Sequence, residues 1–416
     1  MRLLVLEAPT TGSGLCVVDT AIRLGHDVTF ATADVRRYRS EPPIGALAGA
    51  RILSCDTGDA DAVVAAVRAS GATAPEGLVC VVDAAVEVAA KVGAALGLPY
   101  ASAKAVWGAR NKDAFRHICA QAGLPAPVSG VAASEADALR VAAGIGFPCV
   151  VKPTLGSGSR GVTLVSGPRE LRAAYVAITG SAGGPLVLLE EYLRGPLVSL
   201  EVLVAAGTAT LLGVSDRSLT PPPTFVELGE GFPTPLDTAT GAALAGLAVD
   251  VAAALEFDCG PMHIEVVLTT DGPKIVEANP RLAGGLYGPM MRAAMPYDVY
   301  EAVIDVALGR QPVLAGEPVA AASGLGIYPK EPGVLREFRG LDLARTFPGV
   351  RDVVLRSEPG MWVTPPPNPD GEPAYLWATG PTLPIAAANA RAAAGVIDVV
   401  VSPERRDHPT MSGVRP

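Results

Sequence analysis

The sequence has few charged residues and no concentration of positive charge. Only 18% of its 416 residues are charged, the formal net charge is -9, and no run of lysine or arginine occurs. A protein that binds nucleic-acid phosphates or an anionic membrane surface needs a basic patch or stripe. The composition therefore argues against nucleic acid and membranes as partners.

Long apolar runs and clustered cysteines are also missing. The first residues, MRLLVLEAP, are interrupted by Glu7 too early for the apolar region of a signal peptide. No stretch approaches the roughly 18 uninterrupted apolar residues of a membrane span. The six cysteines are scattered without a C-x-x-C pair, so buried free thiols are expected. Together these absences lead us to expect a cytoplasmic protein.

Apolar residues are abundant, at 49% of the chain, which is enough for several buried cores. In residues 1–105 apolar runs alternate with helical patterns, which predicts a small parallel sheet. Asp83 follows the apolar run at 78–82, and Glu87 lies in the helix behind it. Open parallel sheets bind ligands at the carboxyl ends of their strands, so these acids are candidates to line a cleft. Acids at a solvated helix start are an equally good interpretation.

A predicted hairpin at 261–289 carries the densest set of functional candidates. Two extended runs meet at Thr269-Thr270-Asp271-Gly272, a turn signal. Period-two alternation places side chains of the second strand on one face, namely Glu277, Asn279 and Arg281. His263 and Glu265 share a face of the first strand for the same reason.

The length of the turn decides whether Glu265 and Glu277 meet. A two-residue Asp-Gly turn would pair Glu265 with Ala278, whereas a three-residue turn with Gly272 in the left-handed conformation would pair it with Glu277. We predict the three-residue turn, because two carboxylates and an amide on one face supply the oxygen ligands that Mg²⁺ requires. An edge hairpin with solvated acids is the alternative interpretation.

A glycine-rich loop follows a predicted strand that ends at Lys152. Residues 155–161 read LGSGSRG, and backbone N–H groups of such a loop can fold over phosphate oxygens. The lysine precedes the glycines and no G-K-[ST] follows, so this is not a Walker loop. At a strand end Lys152 could reach a phosphate as a point charge. An ordinary glycine hairpin with an exposed lysine explains the pattern equally well.

Three further stretches of the sequence also carry predictions. The apolar run at 186–189 leads into Glu190-Glu191-Tyr192-Leu193, and the main-chain groups of such an edge strand could seat an adenine base. The segment from Arg217 to Pro235 is rich in proline and glycine, which predicts a mobile loop over a site. Residues 240–256 form an amphipathic helix whose apolar stripe faces the core.

These blocks together resemble the ATP-grasp superfamily. Lys112 in NKDAFR, Lys152 before the glycine loop, EEYL at 190–193, and Glu265 with E-x-N-x-R at 277–281 occur in the family's order and spacing. The wider text, GPMHIEV and GPKIVEANPRLAGG, is most similar to the L-amino-acid ligase branch, whose members join a carboxylate to an amine.

The resemblance implies an α/β protein with the ATP-grasp fold, an N-terminal parallel α/β domain and a small C-terminal α+β domain. The implied units are 1–105 (N-terminal domain), 106–183 (small lid subdomain), 184–312 (large subdomain with the metal site), 313–403 (C-terminal domain) and 404–416 (tail).

The resemblance also implies ATP and Mg²⁺ as cofactors, with Mn²⁺ able to replace Mg²⁺. The nucleotide-binding residues implied are Lys112, Lys152, Gly156, Ser157, Gly158, Gly161, Glu190, Glu191, Tyr192, Leu193 and Glu201, with the phosphates at the lysines and glycines and adenine at 190–193. The metal ligands implied are Glu265, Glu277 and Asn279. The catalytic residues implied are Arg281, Lys152, Gly284 and Gly285, with Arg281 stabilising an acyl phosphate and the tetrahedral intermediate.

Three residues are candidates for substrate contacts: His263, Glu227 and Glu230. His263 is a candidate general base, although a hydrogen-bonded structural histidine is an equally good interpretation. Where many relatives have R-L-G-G-G, this chain has Ala283, whose methyl group we expect to narrow the carboxylate pocket. Gly231 stands where relatives tend to have histidine, and Glu230 adds a negative charge. We therefore expect a cationic or zwitterionic amine substrate.

We predict an ATP-dependent carboxylate–amine ligase that releases ADP and phosphate and joins small molecules, both of them amino acids. One alternative is an ATP-grasp carboxylase or nucleotide-biosynthesis ligase, against which the C-terminal segment argues. The other is a non-catalytic nucleotide-binding regulator, which would be expected to have lost a metal ligand or Arg281. Family analogy further suggests a homodimer.

Overall fold

The computed structural model describes residues 1–9, 14–38, 45–156, 158–180, 186–367 and 372–403. Of the predicted features, Ser157 and the tail at 404–416 lie outside these ranges.

The N-terminal unit is a parallel sheet with strand order β3-β2-β1-β4. Its elements are β1 (Arg2–Leu6), α1 (Cys16–Arg23), β2 (Asp27–Thr32), β3 (Arg51–Ser54), α2 (Ala60–Ala69), β4 (Gly77–Val79) and α3 (Val86–Leu96), with 3-10 turns at Val35–Tyr38 and Ala46–Gly49. The central strand β1 is apolar and almost fully buried, as expected for a strand covered on both faces. The predicted parallel sheet is confirmed.

The second unit is a four-stranded antiparallel sheet, β5-β8-β6-β7, which we call the lid sheet. The elements of this region are α4 (Ala103–Arg110), α5 (Lys112–Ala122), β5 (Ser129–Ala132), α6 (Glu135–Ile145), β6 (Cys149–Pro153), β7 (Thr163–Val165), α7 (Pro168–Thr179) and β8 (Val187–Glu191). The side chain of Asn111 caps α5 by accepting from the Ala114 N–H at 3.0 Å. Strand β8 lies beyond the predicted boundary at 183, yet it pairs with β5 and β6 and completes this sheet.

The third sheet has eight strands in the order β13-β12-β9-β10-β11-β14-β18-β16. The first elements of this region are β9 (Leu197–Ala205), β10 (Thr208–Leu219), β11 (Glu227–Phe232), α8 (Thr238–Ala254), β12 (Gly260–Thr269), β13 (Gly272–Asn279), α9 (Tyr287–Ala294) and α10 (Val299–Ala307). The remaining elements are β14 (Ala321–Ile327), β15 (Gly333–Arg339), α11 (Leu341–Arg345), β16 (Val350–Leu355), β17 (Trp362–Val363), β18 (Ala374–Gly380), α12 (Leu383–Ala394) and β19 (Asp398–Ser402).

The C-terminal segment adds strands to this large sheet. Strand β11 pairs with β14 from Gly229 opposite Leu325 to Phe232 opposite Ala322, and β14 pairs with β18. The predicted boundary at 312 therefore separates two parts of one hydrogen-bonded sheet. A smaller sheet, β17-β15-β19, lies within the C-terminal segment alone.

The segment predicted as a mobile loop at 217–235 is mostly a hairpin, so that prediction is wrong. Strands β10 and β11 pair, and only residues 220–226, the hairpin tip, lie between them. The glycine content suggested a loop, but in the structure glycines of this segment allow neighbouring strands to pack closely. A Cβ on Gly229 would lie 2.5 Å from the Gly324 carbonyl oxygen of the neighbouring strand, and glycine in a strand permits such an approach.

One apolar core joins the N-terminal unit to the large sheet. Helix α8 buries its predicted stripe, including Leu244, Leu247 and Val251, in the same cluster as Leu4 of β1 and Leu200 of β9. All six cysteines are free, and three of them are buried, which confirms the expectation of free thiols. Among the described residues, no helix combines the length and the apolar character needed to cross a membrane.

Candidate nucleotide and metal site

A cavity of about 360 Å³ lies between the lid sheet and the large sheet. The predicted residues that line it are Lys112, Lys152, Gly156, Gly158, Glu190, Glu191, Tyr192, Leu193, Glu265 and Glu277. The other predicted residues that the structure describes do not line it, namely Gly161, Glu201, Glu227, Glu230, His263, Asn279, Arg281, Gly284 and Gly285. The structure thus brings together side chains from segments more than 160 residues apart, at one cavity.

Glu265 and Glu277 face each other across β12 and β13, as predicted, but not through the predicted turn. Thr269 pairs with Gly272, so the turn has two residues, Thr270 and Asp271. Farther along, Glu265 pairs with Glu277 while Val266 pairs with Ile275, so Val276 is an extra residue in β13. This bulge shifts the register by one and restores the pairing of the two glutamates.

The two glutamates have different neighbours. Glu265 contacts the Arg217 guanidinium, and its carboxylate lies 3.7 Å from Nε2 of His263. Burial alone would raise the pKa of Glu265, but the charges of Arg217 and His263 outweigh it and hold that pKa well below its ordinary range. Glu277 lies 3.3 Å from Nζ of Lys112 and accepts a hydrogen bond from Nδ2 of Asn279 at 3.1 Å.

The donor set fits a hard divalent cation. Asn279 uses its Nδ2 on Glu277, so its amide oxygen remains an acceptor next to that carboxylate, which is itself paired across the strands with Glu265. Oxygen ligands of this kind suit Mg²⁺, which keeps its other positions for water and phosphate. No cluster of three or more His, Cys, Asp or Glu side chains suited to a metal occurs in the described part of the chain.

Lys152 is held by a buried carboxylate. Its Nζ lies 2.6 Å from Oε2 of Glu190, whose Oε1 accepts a hydrogen bond from Nε of Arg116 at 2.6 Å. Burial would raise the pKa of Glu190, but the charges of Lys152 and Arg116 outweigh it and lower that pKa. Burial lowers the pKa of Lys152, although the charge of Glu190 opposes this. The Glu190 side chain thus positions Lys152 rather than pointing freely into the cavity.

Arg116 was not predicted as a site residue. It lies one helical turn after Lys112 in α5, on the same side of the helix. This four-residue spacing could have indicated Arg116 in the sequence, because a cation one helical turn after Lys112 can reach the same acidic side chains.

The glycine loop needs glycine for its backbone. Gly156 and Gly158 have φ of 126° and 67°, values that side chains with a Cβ rarely adopt. The carbonyl oxygen of Gly156 accepts a hydrogen bond from Nζ of Lys112 at 2.8 Å, which ties the loop to the start of α5. Gly161 also has a positive φ, and a Cβ there would approach the Pro153 ring at 3.1 Å.

The hairpin tip closes the cavity opposite 190–193. Phe225 and Tyr192 have ring centroids 6.2 Å apart, and both line the cavity. The Pro223 carbonyl oxygen accepts hydrogen bonds from the Leu164 N–H at 2.9 Å and from Thr163 Oγ1 at 3.2 Å. The tip therefore bridges from the large sheet to strand β7 of the lid sheet. Sequence reasoning placed this segment over a site but missed Phe225.

His263 is buried between two carboxylates. Its Nδ1 lies 2.9 Å from Oε1 of Glu201, and Glu265 lies on the side of its Nε2. Burial alone would lower the pKa of His263, but the charge and hydrogen bond of Glu201, with those of Glu265, outweigh it and raise the pKa to about 9. A histidine that is protonated at neutral pH does not act as a general base there. Glu201 holds His263 instead of lining the cavity.

Arg281 lies two residues beyond β13 and pairs with Asp83. Its Nε and Nη2 donate to the two Asp83 carboxylate oxygens at 2.8 and 2.7 Å. Gly284 and Gly285 follow, and Gly285 has φ of 58°. The side chain of Asp83 thus faces Arg281, a predicted catalytic residue that follows β13.

The predicted charge of Glu230 is contradicted. Its carboxyl group is buried beneath Tyr375, which donates a hydrogen bond to it. Burial, followed by the charge of Glu227, raises the pKa of Glu230 to about 8. The group is therefore mostly neutral at pH 7 and gives no basis for a cationic amine. Glu227 is engaged as well, because it accepts hydrogen bonds from Arg217 at 2.8 Å and from the Tyr287 hydroxyl at 2.7 Å.

Two departures from the family pattern have structural reasons. A Cβ on Gly231 would lie 2.6 Å from Cδ1 of Leu383 and 2.6 Å from Oδ1 of Asp216, so helix α12 fills the space that a histidine would need. Ala283 is buried in an apolar cluster with Tyr287 and Trp377. Its methyl group packs in that cluster, so the expectation that it narrows a carboxylate pocket is not supported.

The chain has the ATP-grasp fold and contains an ATP-grasp domain. Residues 145–289 match the ATP-grasp domain family, which confirms the resemblance seen in the sequence. Residues 326–402 match L-amino acid ligase C-terminal domain 2. The chain thus combines an ATP-grasp domain with the C-terminal domain of L-amino acid ligases.

Solved and curated relatives agree with this assignment. The crystal structure of L-amino acid ligase from Bacillus licheniformis has a TM-score of 0.83 at 22% identity and covers 96% of this chain and 98% of that one. The L-arginine-specific L-amino acid ligase of Bacillus subtilis is 22% identical over 256 residues, 60% of this chain and 62% of that protein. An uncharacterized protein of Sinorhizobium fredii is 34% identical over 254 residues, 60% of this chain and 52% of that protein. The match thus spans between half and two thirds of these two curated relatives.

Proposed function

We propose that this protein is an ATP-dependent carboxylate–amine ligase that activates one amino acid as an acyl phosphate and joins it to the amine of another. The carrying observation is that Glu265 and Glu277 form a cross-strand pair in the wall of the cavity that also contains Lys112 and Lys152. Two carboxylates that can hold a cation and two lysines in the lining of one cavity form an arrangement suited to a nucleoside triphosphate.

The first step joins the carboxylate to the γ-phosphoryl group. A carboxylate oxygen of the first substrate attacks the γ-phosphorus, and the bond from that phosphorus to the ADP oxygen breaks. Lys112 and Lys152 stabilise the phosphate charge, while Glu265, Glu277 and the Asn279 amide oxygen would hold Mg²⁺. The bound ion would supply further positive charge along the phosphates. Arg217 lines the same cavity and adds a cation beside Glu265.

The second step forms the C–N bond. The neutral amine attacks the acyl carbon, the bond from that carbon to the phosphate oxygen breaks, and the proton that the nitrogen loses ends on the released phosphate. Arg281 stabilises the negative charge that develops on the acyl oxygens. His263 keeps its proton at neutral pH and serves to hold Glu201 and Glu265, so we assign it a positioning role. The C-terminal domain match and the names of the relatives support amino acids as substrates.

Product analysis with substrate pools tests the proposal. The protein is incubated with ATP, Mg²⁺ and pools of amino acids and small carboxylic acids, and phosphate and AMP are measured. Phosphate and ADP that depend on one acid plus one amine are expected, and Glu277→Ala should abolish them. Glu135→Ala, which removes an exposed carboxylate of α6, is the matched control and should retain activity.

Other products would contradict the proposal. AMP and pyrophosphate would indicate adenylation instead of an acyl phosphate. Turnover with bicarbonate and no amine would favour a carboxylase, and nucleotide binding without turnover of any pool would favour a regulator. The homodimer and the cytoplasmic location stay predictions, which light scattering and cell fractionation would test.

A further inference from the structure

Asp83 is the residue through which the N-terminal unit reaches Arg281. It lies beyond the carboxyl end of β4 and 198 residues before Arg281 in the chain. Both carboxylate oxygens are used, at 2.8 Å from Nε and 2.7 Å from Nη2. This fork-to-fork pairing fixes the plane of the guanidinium as well as its position.

The remaining contacts of Arg281 complete its fixation. Nη1 donates to the Leu282 carbonyl oxygen at 2.9 Å, so three of the five N–H donors have protein acceptors. The other two, one on each Nη, have no protein acceptor among the residues that the structure describes. These are the donors that Arg281 can offer to a substrate.

The pair is protected from water. The side chains of Arg281 and Asp83 are 11% and 25% exposed, so solvent screens their attraction less than it would on the surface. The charge of Arg110 also acts on Asp83, but Nη1 of Arg110 donates a hydrogen bond to Oε1 of Glu87 at 3.0 Å. Arg281 is therefore the cation that donates hydrogen bonds to Asp83, and the two side chains fix each other's position.

We infer that Asp83 is a positioning residue for catalysis: it holds the Arg281 guanidinium so that the two remaining donors face the acyl group during transfer. The inference rests on the proposed function, in which Arg281 stabilises the acyl phosphate and the tetrahedral intermediate. It gives the N-terminal unit a part in the reaction, because a displacement of about 1 Å in a catalytic group can reduce the rate on the order of 100-fold.

Substitution of Asp83 tests the inference in the full-length protein. Asp83→Asn keeps the shape but removes the charge and one acceptor, and we expect kcat to fall by roughly 10- to 100-fold with KM for ATP and for the acid nearly unchanged. Asp83→Glu keeps the charge and should recover part of the loss. Glu76→Gln serves as the control: it breaks a different ion pair, between Glu76 and Arg2, next to the start of β4. It should leave kcat unchanged.

A double-mutant cycle separates action through Arg281 from independent action. Arg281→Lys alone should lower kcat more than Asp83→Asn does. If Asp83 acts only through Arg281, Asp83→Asn should add little to the loss already caused by Arg281→Lys. Losses that multiply in the double variant would overturn the inference.

Two further readouts keep the test decisive. If Asp83 instead anchored a substrate ammonium group, Asp83→Asn would raise KM for an amino acid but not for its des-amino analogue, and the inference would be wrong. The Nε–H resonance of Arg281, assigned by its loss in Arg281→Lys, should be protected from exchange in the wild type and exposed in Asp83→Asn. Absence of wild-type turnover would count against the proposed function only, and this resonance would then decide the positioning role by itself.

Discussion

Replacement of Glu230 by glutamine should change how the stability of this protein depends on pH. The Glu230 carboxyl group is 5% exposed, accepts a hydrogen bond from Tyr375, and lies 3.7 Å from the position of a Cβ on Gly285. Burial and the nearby charge of Glu227 raise its pKa to about 8. Glutamine has the same shape and can still bond to Tyr375, but it does not titrate.

The sign and size of the effect follow from proton linkage. Between the ordinary pKa of 4.5 and the folded value of about 8, the folded protein retains a proton that the unfolded chain has lost. A raised folded pKa gives stability that is fully present below pH 4.5 and is lost as the pH rises toward 8. The expected slope is about 1.4 kcal/mol per pH unit, with an upper limit of about 5 kcal/mol across the window.

Urea denaturation at several pH values measures this slope. Wild type and Glu230→Gln are compared at pH 5.5, 6.5 and 7.5, with the m-value monitored for constancy. The free energy of unfolding of the wild type should fall relative to the variant by about 1.4 kcal/mol per pH unit. Glu317→Gln, which removes an exposed carboxylate, controls for net charge. Parallel curves for wild type and Glu230→Gln would refute a neutral buried carboxyl group.

Three other substitutions test separate parts of the structure. His263→Gln should lower the free energy of unfolding by about 3 kcal/mol because it leaves Glu201 buried without its cation. Thermal denaturation should show that adding Glu201→Gln restores most of the loss. A double variant no more stable than His263→Gln alone would contradict the pairing. Gly231→Ala should cost about 1–3 kcal/mol because its Cβ meets Leu383. Adding Leu383→Ala should lower but not abolish the cost of the Gly231→Ala step, because Oδ1 of Asp216 lies equally close to the new methyl group, at 2.6 Å. An unchanged cost would mean that Leu383 does not oppose the methyl group. Phe225→Ala should weaken ADP binding in calorimetry by roughly 3- to 10-fold through loss of the aromatic wall, whereas Val176→Ala, an exposed site on α7, should not.

The face of β13 that carries two of the predicted metal ligands could be predicted from alternation alone. Period two places Glu277 and Asn279 on one side of an extended chain regardless of what surrounds it. The route to the Glu265–Glu277 pairing could not be predicted. The Val276 bulge and a three-residue turn shift the register by the same amount, so the sequence pattern does not distinguish them.

Contacts between strands far apart in sequence were beyond sequence reasoning. Arg217 meets Glu265 because β9 alone separates β10 from β12 in the sheet, and strand order is not encoded in the pattern of either strand. Asp83 was a candidate cleft residue, but its partner Arg281 follows only from the packing of the N-terminal unit on the large sheet. The raised pKa of Glu230 likewise depends on its burial in the folded chain and on the charge of Glu227, neither of which the pattern of its own strand reveals.

The continuity of the large sheet limits how the protein can be recombined with its relatives. A chimera joined near residue 312 would place a relative's strand beside β11 in the position of β14. Wherever that strand does not match β11, backbone groups of β11 would be left unpaired and open to association with other chains. The chimera would also place a different helix beside Gly231. In this chain Leu383 of α12 packs against Gly231, in space that a side chain at position 231 would need. An exchange of the C-terminal segment between this chain and a relative should therefore carry β10 and β11 with it, so that β11 and β14 in each chimera come from the same protein.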